Sequence, residues 1–172
     1  MKHSGRNIKQ RLYGLTLIGN RLSRVRHFRG HGVHSPFVYS LVRKVFMRKT
    51  HIDSTSTELY NNLIALNFPT RRAMELQNIQ HFVGYKTYSI DSTLCSAEFN
   101  ILTAALDCEQ TLQAINNATQ SGTTVVVAMP YINKERDMMC REIIASHRST
   151  SVDNSGYIIF FNNHLPKQHY RL

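Results

Sequence analysis

The sequence predicts an α/β fold in which basic helices come first and a mostly parallel sheet follows. Apolar residues recur at helical spacing up to residue 83, and after Gly84 short β-rich runs alternate with helical stripes. Such alternation is typical of a parallel sheet with helices on its faces. The 172 residues are 42% hydrophobic and 19% charged, which indicates one soluble globular domain that buries roughly 70% of its unfolded surface.

Two helices are predicted before residue 50. The first has an apolar stripe at three-, four- and seven-residue spacing between residues 8 and 25. The second begins at Ser35 and Pro36, because serine is a good N-cap and proline suits the first helical turn. The apolar face of this second helix comprises residues 37, 38, 41, 42, 45 and 46.

Two more helices are predicted before the sheet. Thr55 and Glu58 have the spacing of a capping box, so we expect a third helix to begin at Thr55. A fourth helix runs from Thr70 to Gly84, where glycine is a suitable C-terminal stop.

The remainder of the chain supplies the strands and the helices between them. Helices are predicted over residues 109–119 and 133–147, the latter with core contacts from Met138, Cys140, Ile143 and Ile144. The run 123–129, "TTVVVAM", is typical of a strand covered on both faces. The predicted strands are 85–90, 99–106, 123–129, 156–163 and 167–172.

Charge is divided unevenly along the chain. Residues 1–52 contain twelve of the 21 Lys and Arg residues and no acidic residue, whereas all eleven Asp and Glu residues follow. The first segment therefore carries +12 and the remainder −2. We interpret residues 1–52 as a basic helical extension and residues 53–172 as the α/β domain. Such asymmetry predicts an anionic partner for the extension, either nucleic acid, a membrane surface or an acidic protein face. The alternative is that a net charge of +10 only keeps the protein soluble.

Three cysteines indicate the compartment. Cys95, Cys108 and Cys140 are scattered and form no Cys-x-x-Cys motif, which favours free buried thiols in a reducing environment. No apolar run reaches the ~20 residues of a membrane span, and "LYGLTLIG" is followed by no cleavage site for a signal peptide. We predict a cytoplasmic protein.

Three parts of the chain resemble one group of proteins. They are "RGHGVHSPFVYSLV" (29–42), "FNILTAALDCEQTLQAI" (99–115) and the C-terminal part from "TTVVVAMPYINKERDMMCREIIASH" (123–147) to "STSVDNSGYIIFFNNHLPKQHYRL" (149–172). They resemble the class I S-adenosylmethionine-dependent methyltransferase-like proteins common in the Bacteroidetes. The resemblance implies a Rossmann-like sheet whose last strands form an antiparallel hairpin, and S-adenosylmethionine as the cofactor of an active member.

The chain departs from these relatives where the cofactor would bind. They carry a Glu-x-Gly-x-Gly turn after the first strand, but Gly84 is the only glycine here between residues 33 and 121. Their acidic pair after "TTVVV" is replaced by Ala128 and Met129, and their tryptophan is absent. We therefore expect a degenerate, non-catalytic member without a cofactor, and assign no catalytic residue.

Two acidic residues at strand ends keep an alternative open, an active methyltransferase with an atypical pocket. Asp91 follows the run 85–90 as a candidate ribose-binding carboxylate, and Asp107 follows the run 99–106 as in the relatives. Both are candidate cofactor-binding residues in that case. The competing interpretation is that Asp91 or Ser92 caps a turn and that Asp107 caps the next helix.

The segment before Ser35 is the second candidate site. His27, His31 and His34 have a spacing that would converge on a metal in a helix, but Gly30 and Gly32 favour a loop, so no metal site is predicted. Instead we expect this segment to bind an anion beside the helix start. The candidate anion-binding residues are Arg24, Arg26, Arg29, His31 and His34. The structural alternative is a tight turn that lays two helices across the sheet.

Three functions remain after this reasoning. The first is a non-catalytic binding module whose basic extension contacts an anion. The second is a structural partner in a homo- or hetero-oligomer, formed through a sheet edge or the N-terminal helix. The third is the methyltransferase with an atypical pocket.

Overall fold

The computed structural model describes residues 33–172, which belong to two compact units divided between residues 86 and 87. The predicted helix over residues 8–25 lies outside this range. The unit that contains residues 33–86 crosses the predicted boundary at residue 52, and the interpretation of residues 1–52 as an extension stays a prediction. Within the described range, no helix has the length and apolarity needed to cross a bilayer.

The first unit begins with the predicted Ser35 cap. Helix α1 (Pro36–Leu41) starts at the proline, and the Ser35 hydroxyl accepts a hydrogen bond from the Val38 backbone N–H at 3.3 Å. Helix α1 continues into a π-helix (Val42–Phe46), in which the Met47 N–H donates to the Val42 carbonyl at 3.0 Å. In this wider turn Arg43 and Lys44 are exposed, whereas Val42 and Val45 are buried.

Helix α2 (Glu58–Ala65) begins three residues later than the sequence predicts. The prediction of a capping box at Thr55 and Glu58 is wrong. The Thr55 N–H and hydroxyl instead donate to the Asp53 carboxylate, at 2.8 and 2.6 Å. These bonds, the hydroxyl bond above all, hold the pKa of Asp53 below its ordinary value. Thr55 is thus held in a local turn and cannot cap the helix.

Helix α3 (Thr70–Val83) is the centre of the first unit and is confirmed with its glycine stop. Gly84 adopts the left-handed conformation, with φ of 87°. Residues 73–79 are all buried, and their polar members connect the rest of the unit. The Asn78 side chain accepts from the Ile52 N–H at 2.8 Å and donates to the Thr50 carbonyl at 3.0 Å. The helix therefore fixes the loop that precedes α2.

The second unit contains a six-stranded sheet in the order β1-β2-β3-β5-β4-β6. The pairings show that β5 runs against the other five strands, so the sheet is mostly parallel with an antiparallel β4–β5 hairpin. The predicted α/β, Rossmann-like fold is confirmed. The strands are β1 (Tyr88–Ile90), β2 (Phe99–Leu102), β3 (Thr124–Ala128), β4 (Thr150–Asp153), β5 (Tyr157–Phe160) and β6 (Gln168–Arg171).

Two helices of this unit pack with the buried apolar cluster of the sheet. Helix α4 (Cys108–Ser121) ends at Gly122, whose φ is 71°, and helix α5 (Lys134–Ser146) begins at the Asn133 cap. The expected core contact of Met138 is wrong, since 50% of its side chain is exposed. Met139 is buried instead, whereas the predicted contacts of Cys140, Ile143 and the partly buried Ile144 are confirmed.

Candidate functional site

The carboxyl edge of the parallel strands is the place where open α/β sheets bind ligands. Binding occurs in the crevice at which the strand order reverses. In the described sheet β1 is an outer strand, with β2 and then β3 on its one occupied side. The strand order therefore does not reverse at β1, and no crevice of this kind forms there. Asp91, Thr103 and Met129 directly follow β1, β2 and β3 at this edge.

Asp91 is bound to the neighbouring strand end. One carboxylate oxygen accepts from the Thr103 N–H at 2.6 Å, and the other accepts from the Thr103 hydroxyl at 2.8 Å. The Asp91 N–H donates to the Ile101 carbonyl at 2.8 Å. Its φ is 55°, and Cys95 in the same loop has φ of 48°, so two non-glycine residues adopt the left-handed conformation here. Asp91 therefore joins β1 to β2 rather than capping a turn.

Asp107 has the structural role that the competing interpretation gave it. It is the N-cap of α4, and its carboxylate accepts from the Gln110 N–H at 2.8 Å. The Gln110 side chain completes a capping box by accepting from the Asp107 N–H at 3.2 Å. The helix-cap interpretation is confirmed, and this accounts for an acidic residue at the end of the run 99–106.

Arg136 was missed by sequence reasoning, although it fills much of this edge. Its side chain is buried, and its guanidinium donates to the carbonyls of Thr103 at 2.9 Å, Leu106 at 3.2 Å and Ala128 at 3.3 Å. A fourth, longer bond of 3.4 Å reaches the Thr111 hydroxyl. Burial lowers the pKa of Arg136. The sequence contained one signal for this role. Arg136 lies in the first turn of α5, where a positive charge is unfavourable beside the helix dipole unless a specific partner stabilises it.

The thiols at and near this edge are not activated. Burial raises the pKa of Cys95 to about 11 and that of Cys140 to about 12. Cys108 is partly exposed, and burial raises its pKa as well. The expectation of free thiols is confirmed, with two of the three buried. Since the thiolate is the nucleophile, these protonated thiols are poor nucleophiles at neutral pH.

The first unit carries a different kind of site, an open pocket of about 520 Å³. We call it the basic pocket. It is lined by Arg43, Lys44, Met47, Arg48, Ile52 and Phe82. The Lys44 ammonium lies 5.9 Å from the centre of the Phe82 ring, a cation–π distance. Arg43 contacts the Met47 sulfur at 3.8 Å.

The three cations of the basic pocket have no carboxylate partner among residues 33–172. The ion pairs of α3 join Arg71 and Arg72 to Glu75, and none of these three residues lines the pocket. No acidic residue occurs in the sequence before Asp53. The pocket is therefore positively charged and open to an external anion.

The predicted anion-binding segment is described only at its end. His34 is exposed and precedes the Ser35 cap of α1. Arg24, Arg26, Arg29 and His31 lie outside the described residues, so their role stays a prediction. Among the residues that are described, no three His, Cys, Asp or Glu side chains are arranged to hold a metal ion.

No protein-family model, curated protein or solved structure matches this chain. The resemblance to methyltransferase-like proteins therefore rests on the sequence motifs. The residues at the carboxyl edge do not fit S-adenosylmethionine, the cofactor that the resemblance implies. Such a site needs a glycine turn and a carboxylate available for ribose, whereas both oxygens of Asp91 accept from Thr103 and the Arg136 guanidinium lies over the ends of β2 and β3.

Proposed function

We propose that this protein is a non-catalytic, methyltransferase-like binding module whose basic residues contact an anionic partner. The observation that carries the proposal is the basic pocket, in which three cations lie at the surface without carboxylate partners in the described part of the chain. Exposed charges of one sign raise the local concentration of an oppositely charged ligand and accelerate its association.

The non-catalytic part of the proposal is supported by how the carboxyl edge uses its polar groups. Asp91 is bound to Thr103, Asp107 caps a helix, and Arg136 is bound to three carbonyls. A catalytic acid, base or cofactor ligand needs a free functional group directed at a substrate. At this edge the same groups stabilise the fold.

Isothermal titration with S-adenosylmethionine tests that part. We expect no binding tighter than ~1 mM. The decisive comparison is between the natural protein and Asp91→Ala. Micromolar binding that is lost in the variant would establish the alternative, a methyltransferase with an atypical pocket at Asp91.

The anion-binding part is tested with a salt titration of RNA binding beside flotation with phosphatidylserine-containing liposomes. About six phosphate contacts would give a slope of log K against log salt of roughly −5. On a membrane, each basic residue near the anionic surface adds about 1 kcal/mol. Indifference to both polyanions would contradict the proposal.

A matched pair of variants locates the interaction. The triple variant Arg43→Gln, Lys44→Gln and Arg48→Gln removes the charge of the basic pocket. The control Lys134→Gln, Arg148→Gln and Lys167→Gln removes three exposed charges from the second unit. We expect the first to weaken polyanion binding severalfold and the second to leave it nearly unchanged.

An oligomer through the sheet edge is the second candidate. It is favoured by one observation, that β1 and β6 are the outer strands of the described sheet. Outer strands present unpaired backbone groups to other chains. Analytical sedimentation tests this, and a monomer across the accessible concentration range would exclude self-association. The cytoplasmic location remains part of the proposal.

A further inference from the structure

We propose that the basic pocket binds single-stranded nucleic acid, with one unpaired base stacked against Phe82 and the adjoining phosphates on Arg43, Lys44 and Arg48. This inference rests on the proposed function, because it names the polyanion that the basic residues contact. It goes beyond that function by assigning a base-binding residue.

The pocket combines an apolar floor with a cationic rim. Ile52 and Phe82 are half-buried, Met47 is 40% exposed, and the charged groups belong to exposed residues. A volume of about 520 Å³ lies within the ordinary range for small-molecule sites and accommodates a nucleobase. A ligand that fills such a pocket needs a flat apolar part beside negative charge, and a nucleotide has both.

The cations are positioned for phosphates that flank a base on the ring. The Lys44 ammonium lies over the Phe82 ring, 5.9 Å from its centre. A base that stacks on this face displaces the flexible lysine side chain, whose ammonium then contacts the adjoining phosphate. Arg43 neighbours Lys44 in the π-helix, and Arg48 is the second residue after the end of that helix. Aromatic rings beside cations that follow the backbone are the common arrangement in single-strand binding.

The concave shape favours a single strand over a duplex or a membrane. In a duplex the bases are stacked within the helix and their faces are inaccessible, whereas the bases of a single strand can stack on aromatic side chains. A bilayer is contacted best by apolar groups that protrude between basic ones. Here Phe82 and Ile52 are recessed and only Met47 is well exposed.

The test uses the full chain and a fluorescein-labelled twelve-nucleotide oligo(U) RNA, measured by anisotropy at several salt concentrations. We expect Phe82→Leu to weaken binding about tenfold, because base–aromatic stacking is lost while the apolar volume is largely kept. The salt slope should stay the same, since no phosphate contact is removed. Phe82→Tyr keeps the ring and should retain the natural affinity.

Lys44→Gln makes the complementary change. The three phosphate contacts of the pocket contribute about −2 to the salt slope for a single strand, so removing one of them should reduce the magnitude of the slope by about 0.7. Tyr39→Leu is the matched control, because Tyr39 is 46% exposed in the same unit but does not line the pocket. It should change neither the affinity nor the slope.

Three further ligands, namely inorganic polyphosphate, duplex RNA and phosphatidylserine vesicles, distinguish the ways in which the inference could fail. Inorganic polyphosphate carries the charge without a base, so its affinity should be insensitive to Phe82→Leu. If RNA, polyphosphate and phosphatidylserine vesicles all fail to bind, the proposed function fails; if only the vesicles bind, this inference fails and the proposed function stands. If RNA and polyphosphate both bind and Phe82→Leu weakens neither, only the assignment of Phe82 fails.

Tighter binding to duplex RNA or to phosphatidylserine vesicles than to oligo(U) would also overturn the inference. Thermal melts of each variant establish that the fold is kept.

Discussion

The carboxyl edge of the sheet and the basic pocket hold their charged groups in opposite ways. At the edge, Arg136 is buried and donates to three backbone carbonyls, and Asp91 accepts two bonds from Thr103. In the pocket, Lys44 and its neighbours lie at the surface, and no carboxylate of the described residues contacts them. The edge is the usual site of chemistry in such sheets, yet the pocket is where groups are available to a partner.

The difference follows from the free energy of burial. A charge removed from water is costly unless hydrogen bonds replace its hydration. Once these bonds exist, removing the charged group leaves its partners unsatisfied. An exposed cation stays hydrated and has no buried hydrogen-bond partners, so it contributes little to stability. The two regions should therefore respond differently to mutation, and the predictions below are ordered by the expected change in the free energy of unfolding.

Arg136→Met should have the largest effect. It removes the donor for the carbonyls of Thr103, Leu106 and Ala128, and we expect a loss of about 3 kcal/mol in the free energy of unfolding. Urea denaturation measures it. Lys134→Met on the same helix is the control, because Lys134 is exposed. That change should cost at most about 1 kcal/mol, and equal losses in the two variants would refute the assignment.

Asp91→Ala should come next. It leaves the Thr103 N–H and hydroxyl without their acceptor, with an expected loss of about 2 kcal/mol in urea denaturation. Asp91→Asn retains one acceptor oxygen and should lose about half as much. If Asp91→Ala is as stable as the natural protein, then the bridge between β1 and β2 is unimportant.

Asp107→Ala removes the cap of α4, and we expect a loss of about 1 kcal/mol. Asp107→Ser keeps a capping oxygen and should cost only a few tenths of that amount. Thermal unfolding followed by circular dichroism distinguishes them. Identical melting temperatures for the alanine and serine variants would argue against the capping role.

The triple variant of Arg43, Lys44 and Arg48 to glutamine should have the smallest effect on stability. We expect the free energy of unfolding to stay within about 0.5 kcal/mol of the natural value, because these side chains are exposed. Its polyanion binding should nevertheless fall severalfold. A large loss of stability would show that the basic pocket is structural and would remove the contrast with the carboxyl edge.

Local signals explain why much of the fold could be predicted. Helix α3 has a glycine stop in the next residue, and β3 is a continuous β-branched run between Gly122 and Pro130. The start of α2 was wrong because Asp53 competes for Thr55, a local choice that spacing alone does not reveal. Strand β4 was missed because Val152 is its single apolar residue.

The arrangement at the carboxyl edge could not be predicted, because it depends on contacts between distant residues. Asp91 and Thr103 are twelve residues apart, and Arg136 reaches Thr103 across thirty-three. Sequence reasoning placed Asp91 at a strand end correctly, but the strand predicted over residues 99–106 ends at Leu102, so Asp107 lies at the start of a helix instead. It also could not tell whether these carboxylates would face a ligand or bind other groups of the protein. Of the basic pocket, sequence reasoning predicted only the positive charge. It could not predict that Phe82 lines the pocket, because this depends on the packing of α3 beside residues 43–52.

The left-handed backbone at Asp91 and Cys95 has a further consequence. A loop after the first strand of a nucleotide-binding sheet commonly bends with glycine, which leaves room beside the chain for a cofactor. In this protein the bend is kept at φ values of 55° and 48°, but each of these residues adds a β-carbon and a side chain. The φ values of a loop and the space beside it are thus separate properties, and in this loop Asp91 and Cys95 place side chains where glycine would leave the chain bare.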